Sequence, residues 1–295
     1  MLKGKYNRLS NWLSAGVCTV ILPFTTALAD TALPRQPAAL DRVGVYQLRD
    51  IAPELTGAGI RITAVSRSMT YADGQPMNDY RPLDEHLLFS GRTFIYNEKT
   101  DLPAGVSAHE TAVASILFGQ DPNLTLEGLG RFRYEGVTPE AAGDFHEFWH
   151  FLTHNVFPQK KPDADAVTIS LGSQFDDWWT RGIEALSEKY GLPIVAGIGN
   201  GQSVHDSTLF PAAGSNVIGV GVVKEIQTTD LLASLSKFWL PEPAFSSCGP
   251  TDDNRAKPDI VAPGRCLAAD ATDASGIVIT PSGSSYATPV VAGVI

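Results

Sequence analysis

The sequence predicts an α/β domain with a mostly parallel sheet and helices on both of its faces. Short apolar runs recur at 60–65, 166–170, 194–196 and 217–223, and stretches of helical periodicity lie between them. Runs of this kind, alternating with helices, are what strands buried on both faces look like. At 295 residues, 43% hydrophobic and 18% charged, the chain is long and apolar enough to bury such a core.

The elements follow in chain order. Residues 1–13 carry Lys3, Lys5 and Arg8 with no acid, an apolar stretch runs from Ser14 to Thr26, and Ala27-Leu28-Ala29 closes it. That is the layout of a secretory signal peptide, and Pro23 weighs against a buried helix. Cys18 precedes most of the apolar stretch, which argues against lipoprotein processing. Removing 1–29 takes away three bases and moves the net charge from −10 to −13, so the expected product is acidic and secreted or periplasmic. An acidic chain lacks the basic footprint of a nucleic-acid binder. No apolar run reaches the ~20 residues needed to span a bilayer, so no membrane partner is expected once the signal is removed.

Residues 30–55 read as a weakly patterned lead-in, and 56–295 as one domain. Ile60 to Val65, after Gly57-Ala58-Gly59, reads as the first strand. Residues 66–106, with Gly, Pro, Asn and Asp throughout, read as long loops. His109 to Phe118 reads as a helix capped by Ser107 and stopped by Gly119. Ala166 to Ser170 is a second strand. Trp179, Ile183, Leu186 and Tyr190 then recur at helical spacing up to Gly191. Ile194-Val195-Ala196 and Val217 to Val223 complete the strands. In an exported chain Cys248 and Cys266 are the remaining pair and a candidate disulfide. Such a bridge would contribute roughly 3 kcal/mol.

Four segments carry chemistry together: Gly283-Ser284-Ser285-Tyr286-Ala287-Thr288-Pro289, His109-Glu110-Thr111, Gly199-Asn200-Gly201 after an apolar strand, and Lys257 to Gly264. Singly, each has an ordinary explanation, such as a serine N-cap or a loop whose glycine spacing does not fit a dinucleotide. In this order they resemble the subtilisin-like serine peptidase family. Gly283 to Pro289 is similar to its G-T-S-M-A-T-P motif, His109-Glu110-Thr111 to its H-G-T, and Gly199-Asn200 to its A-G-N turn. Phe210-Pro211-Ala212-Ala213 and Phe245 to Pro250 add further matches.

The resemblance implies a three-layer subtilisin-like fold and a serine endopeptidase acting on polypeptides, with Ser285 as nucleophile, His109 as general base and Asn200 as oxyanion donor. A serine hydroxyl needs such a base at neutral pH, and one oxyanion donor is worth roughly 3 kcal/mol. It further implies that Ser170, Leu171, Gly172 and Gly199 contact substrate. No cofactor is required, although structural calcium occurs in the family and no ligand position for it is matched here.

The chain departs from the family where the triad aspartate belongs, because Ser66 stands at the end of the first strand. A serine can orient an imidazole but cannot balance the charge of an imidazolium. Losing the acid alone from such a triad lowers turnover ~3 × 10⁴-fold. Asp73, Asp79, Asp84, Glu85 and Glu110 are the candidate replacements, among which the sequence does not choose. Glu110 also stands where the family has glycine. Ile295 follows Ser285 by only ten residues, so the domain is expected to be incomplete at its C-terminus. About 30 residues before the first strand are too few for a folded pro-domain.

Two rivals remain. Ser66 and Glu110 motivate a catalytically silent pseudoprotease or binding module on the same fold. His146-Glu147-Phe148-Trp149-His150, with His154 beyond, is a formal H-E-x-x-H zinc motif and motivates a metalloprotease. The family alignment instead places this segment on a strand, with His146 and Glu147 on opposite faces.

Overall fold

The central strands are apolar because both of their faces are covered. Val167 and Ile169, and likewise Ile194 and Ala196, meet the helix Trp178–Tyr190 on one side of the sheet. Val195, Val220 and Val222 meet the helix Ser284–Ala292 on the other. The structure is a computed structural model that describes residues 33–36, 39–67, 71–72, 75–76, 78–98, 104–201, 207–225, 238–241 and 246–295. The expected signal peptide with Cys18, and Asp73, lie outside the described residues. Among the described residues no helix is long and apolar enough to cross a membrane.

The sheet has eight strands: β1 (Arg61–Ser66), β2 (Ile95–Asn97), β3 (Ala142–Glu147), β4 (Ala166–Ile169), β5 (Ile194–Gly197), β6 (Ile218–Glu225), β7 (Phe238–Pro241) and β8 (Ile260–Pro263). Their order is β7-β6-β5-β4-β1-β3-β2, with β8 beside β6, and only β7 runs antiparallel. The main helices are α1 (Val45–Ile51), α2 (Ala108–Phe118), α3 (Trp178–Tyr190) and α4 (Ser284–Ala292). The expected three-layer α/β architecture is therefore present, with α3 on one face and α2 and α4 on the other.

β1 lies between β3 and β4 in register, Ser66 opposite Glu147 and Val65 opposite Ile169. The chain builds β2 and β3 to one side of β1, then crosses to build β4, β5 and β6 on the other. A reversal of this kind opens a crevice at the carboxyl ends of the strands, where open α/β sheets bind ligands. Ser66 ends β1 and Ser170 directly follows β4, so both stand at that crevice.

Several expectations need correction. Residues 66–106 are not all loop: Asn78–Arg81 pairs in parallel with Ala104–Val106, Leu87–Phe89 forms a 3₁₀ turn, and β2 joins the sheet. Strands of three or four residues are too short for alternation to emerge from Gly- and Asp-rich flanks. The lead-in is also structured, since α1 is tied down by the buried Arg49, which donates to Glu135 Oε1 at 2.8 Å and to the Gly136 carbonyl at 3.1 Å. The sequence offered no signal for the hairpin Gln120–Leu126 with Gly130–Glu135.

The zinc motif does not assemble. β3 ends at Glu147, whose carboxylate caps the next short helix by accepting from the His150 amide at 3.0 Å. His146 sits in the strand and contacts Asp144 Oδ2 at 3.0 Å, while His150 stacks on His154 with ring centroids 3.9 Å apart. Among the described residues no three His, Cys, Asp or Glu side chains gather as a metal would require. The candidate disulfide is absent as well. Cys248 and Cys266 are not bridged to each other: Cys266 is turned into the core under α4 and Cys248 is half-buried.

Candidate active site

Ser285 owes its position to the start of α4. Gly283 precedes the helix in extended conformation, and its amide donates to the Gly264 carbonyl at 3.2 Å, so the segment after β8 anchors the turn. β5 packs directly against α4: a Cβ on Gly197 would lie 3.1 Å from both Ser284 Oγ and Thr288 Oγ1. Pro289 lies inside α4 and has no N–H to give the carbonyl four residues back, which is that of Ser285. Ser170 supplies the missing donor, its hydroxyl reaching the Ser285 carbonyl at 2.8 Å. In return the Ser285 hydroxyl donates to the Ser170 carbonyl at 3.2 Å. The proline of the motif thus leaves an acceptor that locks the nucleophile segment onto the end of β4.

Asn200 lies across the same helix start. Its Oδ1 accepts from the Ser284 amide at 2.6 Å and from Ser284 Oγ at 3.0 Å. A backbone N–H can only donate, so the atom facing it is the oxygen, and the amide Nδ2 is the outward end. The Ser285 amide has no acceptor among the described residues and belongs to the free N–H groups of a helix start. The turn that carries Asn200 requires Gly199, whose φ is +115° and whose missing Cβ would meet Ser247 Oγ at 2.6 Å.

His109 enters from α2. Ser107 caps this helix by accepting from the Glu110 amide at 3.2 Å. His109 Nδ1 lies 2.9 Å from Glu110 Oε1. The Tyr286 ring covers the imidazole with centroids 5.6 Å apart. Burial pulls the imidazole pKa down, but the hydrogen bond and charge of Glu110 outweigh it and hold His109 above its ordinary 6.5. Burial, with the Glu110 charge behind it, raises the Tyr286 phenol.

A cavity of about 480 Å³ at the crevice brings His109 and Glu110 beside the ends of β1 and β4, and Ser285 and Asn200 are not part of its lining. Ser66, Arg67, Asp79, Ser107, His109, Glu110, Ser170 and Leu171 line it. Ser66 is 4% exposed. Its hydroxyl makes no hydrogen bond to a described residue, His109 included, while the His109 Nδ1 contact is with Glu110. Of the candidate acids, Asp79 and Glu110 reach this cavity. Asp84 and Glu85 are exposed outside it, and Asp84 accepts from the Tyr96 hydroxyl. Beyond Ser170, the backbone groups of Leu171 and Gly172 find no partner among the described residues until Ser173 bridges to Phe210.

Sequence reasoning did not single out Ser284 as the clamp on Asn200, Tyr286 as the lid on His109, or Arg67 in the cavity wall. Only the first had a signal, as the polar neighbour of the nucleophile within its motif.

Comparisons with known proteins bear on the family and the fold. The model of the Subtilase family matches residues 82–295. An alkaline proteinase from Hapsidospora chrysogena is 24% identical over 218 residues, covering 72% of this chain and 48% of that protein. The chain thus spans about half the length of that curated relative. Among solved structures, the prenylagaramide maturation protease PagA superposes with a TM-score of 0.58 at 21% identity, over 85% of this chain and 78% of that one. The PatG macrocyclase in complex with peptide gives 0.63 at 16% identity, over 89% and 81%. At these identities the structural likeness speaks for the fold.

Proposed function

Because the chain belongs to the subtilase family, we propose that it is an exported serine endopeptidase that cleaves polypeptides through an acyl-enzyme on Ser285. The observation that supports this most is the orientation of Asn200. Its oxygen is held by Ser284, which leaves Nδ2 as the outward end, and the Ser285 amide at the same helix start has no acceptor among the described residues. Two donors fixed before reaction at a helix N-terminus are what a developing oxyanion needs.

The chemistry runs from there. For the reaction the Ser285 hydroxyl has to leave the Ser170 carbonyl and come to His109 Nε2. Oγ bonds to the carbonyl carbon of the substrate as its proton passes to Nε2. The oxyanion then lies between Asn200 Nδ2 and the Ser285 amide. The C–N bond breaks as Nε2 returns the proton to the leaving amine, and water repeats the sequence on the acyl-enzyme. An extended substrate would pair with the unpartnered backbone at Leu171 and Gly172, leading its scissile bond toward Ser285.

The test is covalent labelling of the full chain by a fluorophosphonate probe, with Ser285→Ala as control. We expect labelling that the substitution abolishes. Ser66 supports a second reading, a silent binding module, and a chain unlabelled between pH 5 and 10 would decide for it.

A further inference from the structure

We propose that Glu110 is the positioning residue for His109, doing from within α2 what the family assigns to an aspartate at the position of Ser66. The proposal rests on His109 being the general base.

Three observations carry it. First, the contact is direct, Glu110 Oε1 lying 2.9 Å from His109 Nδ1. Neighbouring side chains on a helix diverge, so this contact requires Glu110 to be turned back toward the imidazole. Second, Glu110 is not occupied as a helix cap. Ser107-x-x-Glu110 has the spacing of a capping box, in which the acid would accept from the Ser107 amide. That amide donates instead to the Arg81 carbonyl at 2.8 Å, leaving the carboxylate to His109. Third, Glu110 is 1% exposed, and a carboxylate so buried is retained where it has a partner. The imidazole, with 37% of its side chain exposed, is that partner.

The chemistry follows from which nitrogen is occupied. With Glu110 accepting from Nδ1, the neutral ring carries its proton there and presents Nε2 as the acceptor for the Ser285 proton. When Nε2 takes that proton, the Glu110 carboxylate balances the imidazolium. Ser66, a neutral hydroxyl without a hydrogen bond to any described residue, does neither. Among the described residues, the other charged or titratable groups near the imidazole are Asp79 and Arg67, which line the same cavity, and Tyr286 on α4, whose ring lies against it. Arg67 opposes the imidazolium and Asp79 favours it, so the test substitutes Glu110 alone.

The experiment uses the full chain with isotopically labelled histidine, His109 being assigned by its loss in His109→Gln. In the unsubstituted chain His109 is expected to titrate above 6.5 by NMR, and in Glu110→Gln clearly lower. The fluorophosphonate labelling rate should fall ~10⁴-fold in Glu110→Gln, as for loss of a triad acid, with circular dichroism unchanged. Returning a carboxylate at the family position, in the double variant Glu110→Gln/Ser66→Asp, should restore part of that rate. An unmoved His109 titration, or undiminished labelling in folded Glu110→Gln, overturns the proposal. If Glu110→Gln does not fold, Glu110→Asp takes its place: a His109 titration still above 6.5 supports the pair, and an ordinary one overturns it. A starting chain that never labels overturns the serine-peptidase reading alone, because the titration reads the Glu110–His109 pair without turnover.

Discussion

Asn200 shows how a single side chain acquires a direction. Its oxygen faces two donors on Ser284, and those bonds decide where its nitrogen points. The motif identifies the residue, but the direction depends on a helix start 84 positions away in sequence. Replacing Asn200 by Ala should lower kcat about 10²–10³-fold with little change in KM, because the donor acts mainly on the transition state. Steady-state kinetics on a chromogenic peptide would show it. Glu110 makes the complementary case. It was legible as one of five acids, and a residue beside a histidine in sequence carries no sign that its carboxylate folds back onto that histidine.

At the scale of elements, the junction of β3 with the short helix Phe148–Phe151 explains why a zinc-like motif does not gather its side chains into a metal-binding cluster among the described residues. Glu147 turns to cap the helix and His146 stays in the strand beside Asp144. The same junction makes the fold acid-sensitive. Burial first, then the neighbouring His154 and His146, lower the pKa of His150 to about 4. The unfolded chain takes up that proton near 6.5, so it binds more protons than the folded chain between pH 6.5 and 4. Stability should therefore fall as pH drops through this window, and His150→Gln should flatten the fall, read as urea midpoints at pH 7, 5.5 and 4.5. His109 acts with the opposite sign. Its raised pKa contributes stability below 6.5, and the contribution is lost as pH rises through the folded value.

On the scale of the whole molecule, the domain is tied together across long separations in sequence. Arg49 in α1, 3% exposed, joins Glu135 and the carbonyls of Gly136 and Val137, while Arg35 and Arg133 flank the same carboxylate. Arg49→Ala removes one side of a buried ion pair and takes the donor from three carbonyls, those of Leu55, Gly136 and Val137. It should cost about 3 kcal/mol, the low end for such a break because Glu135 keeps its other arginines. Equilibrium denaturation should show a lower midpoint with an unchanged slope.

The local signals were strong where chemistry is local. Apolar runs marked β1, β4, β5 and β6, a serine cap and a glycine stop bounded α2, and Gly191 ended α3. The motifs named Ser285, His109 and Asn200. Short strands within 66–106 stayed hidden because three residues carry too little periodicity, and the order of the sheet is a matter of which surfaces meet. By itself the sequence determined the fold class, the family and the candidate site residues, since propensity, capping and motif spacing are properties of neighbouring residues. Only the tertiary structure decided that Ser66 leaves the imidazole alone and Glu110 holds it. That choice depends on which oxygen comes within hydrogen-bond reach of Nδ1, a distance of 2.9 Å set by the packing of α2 into the crevice.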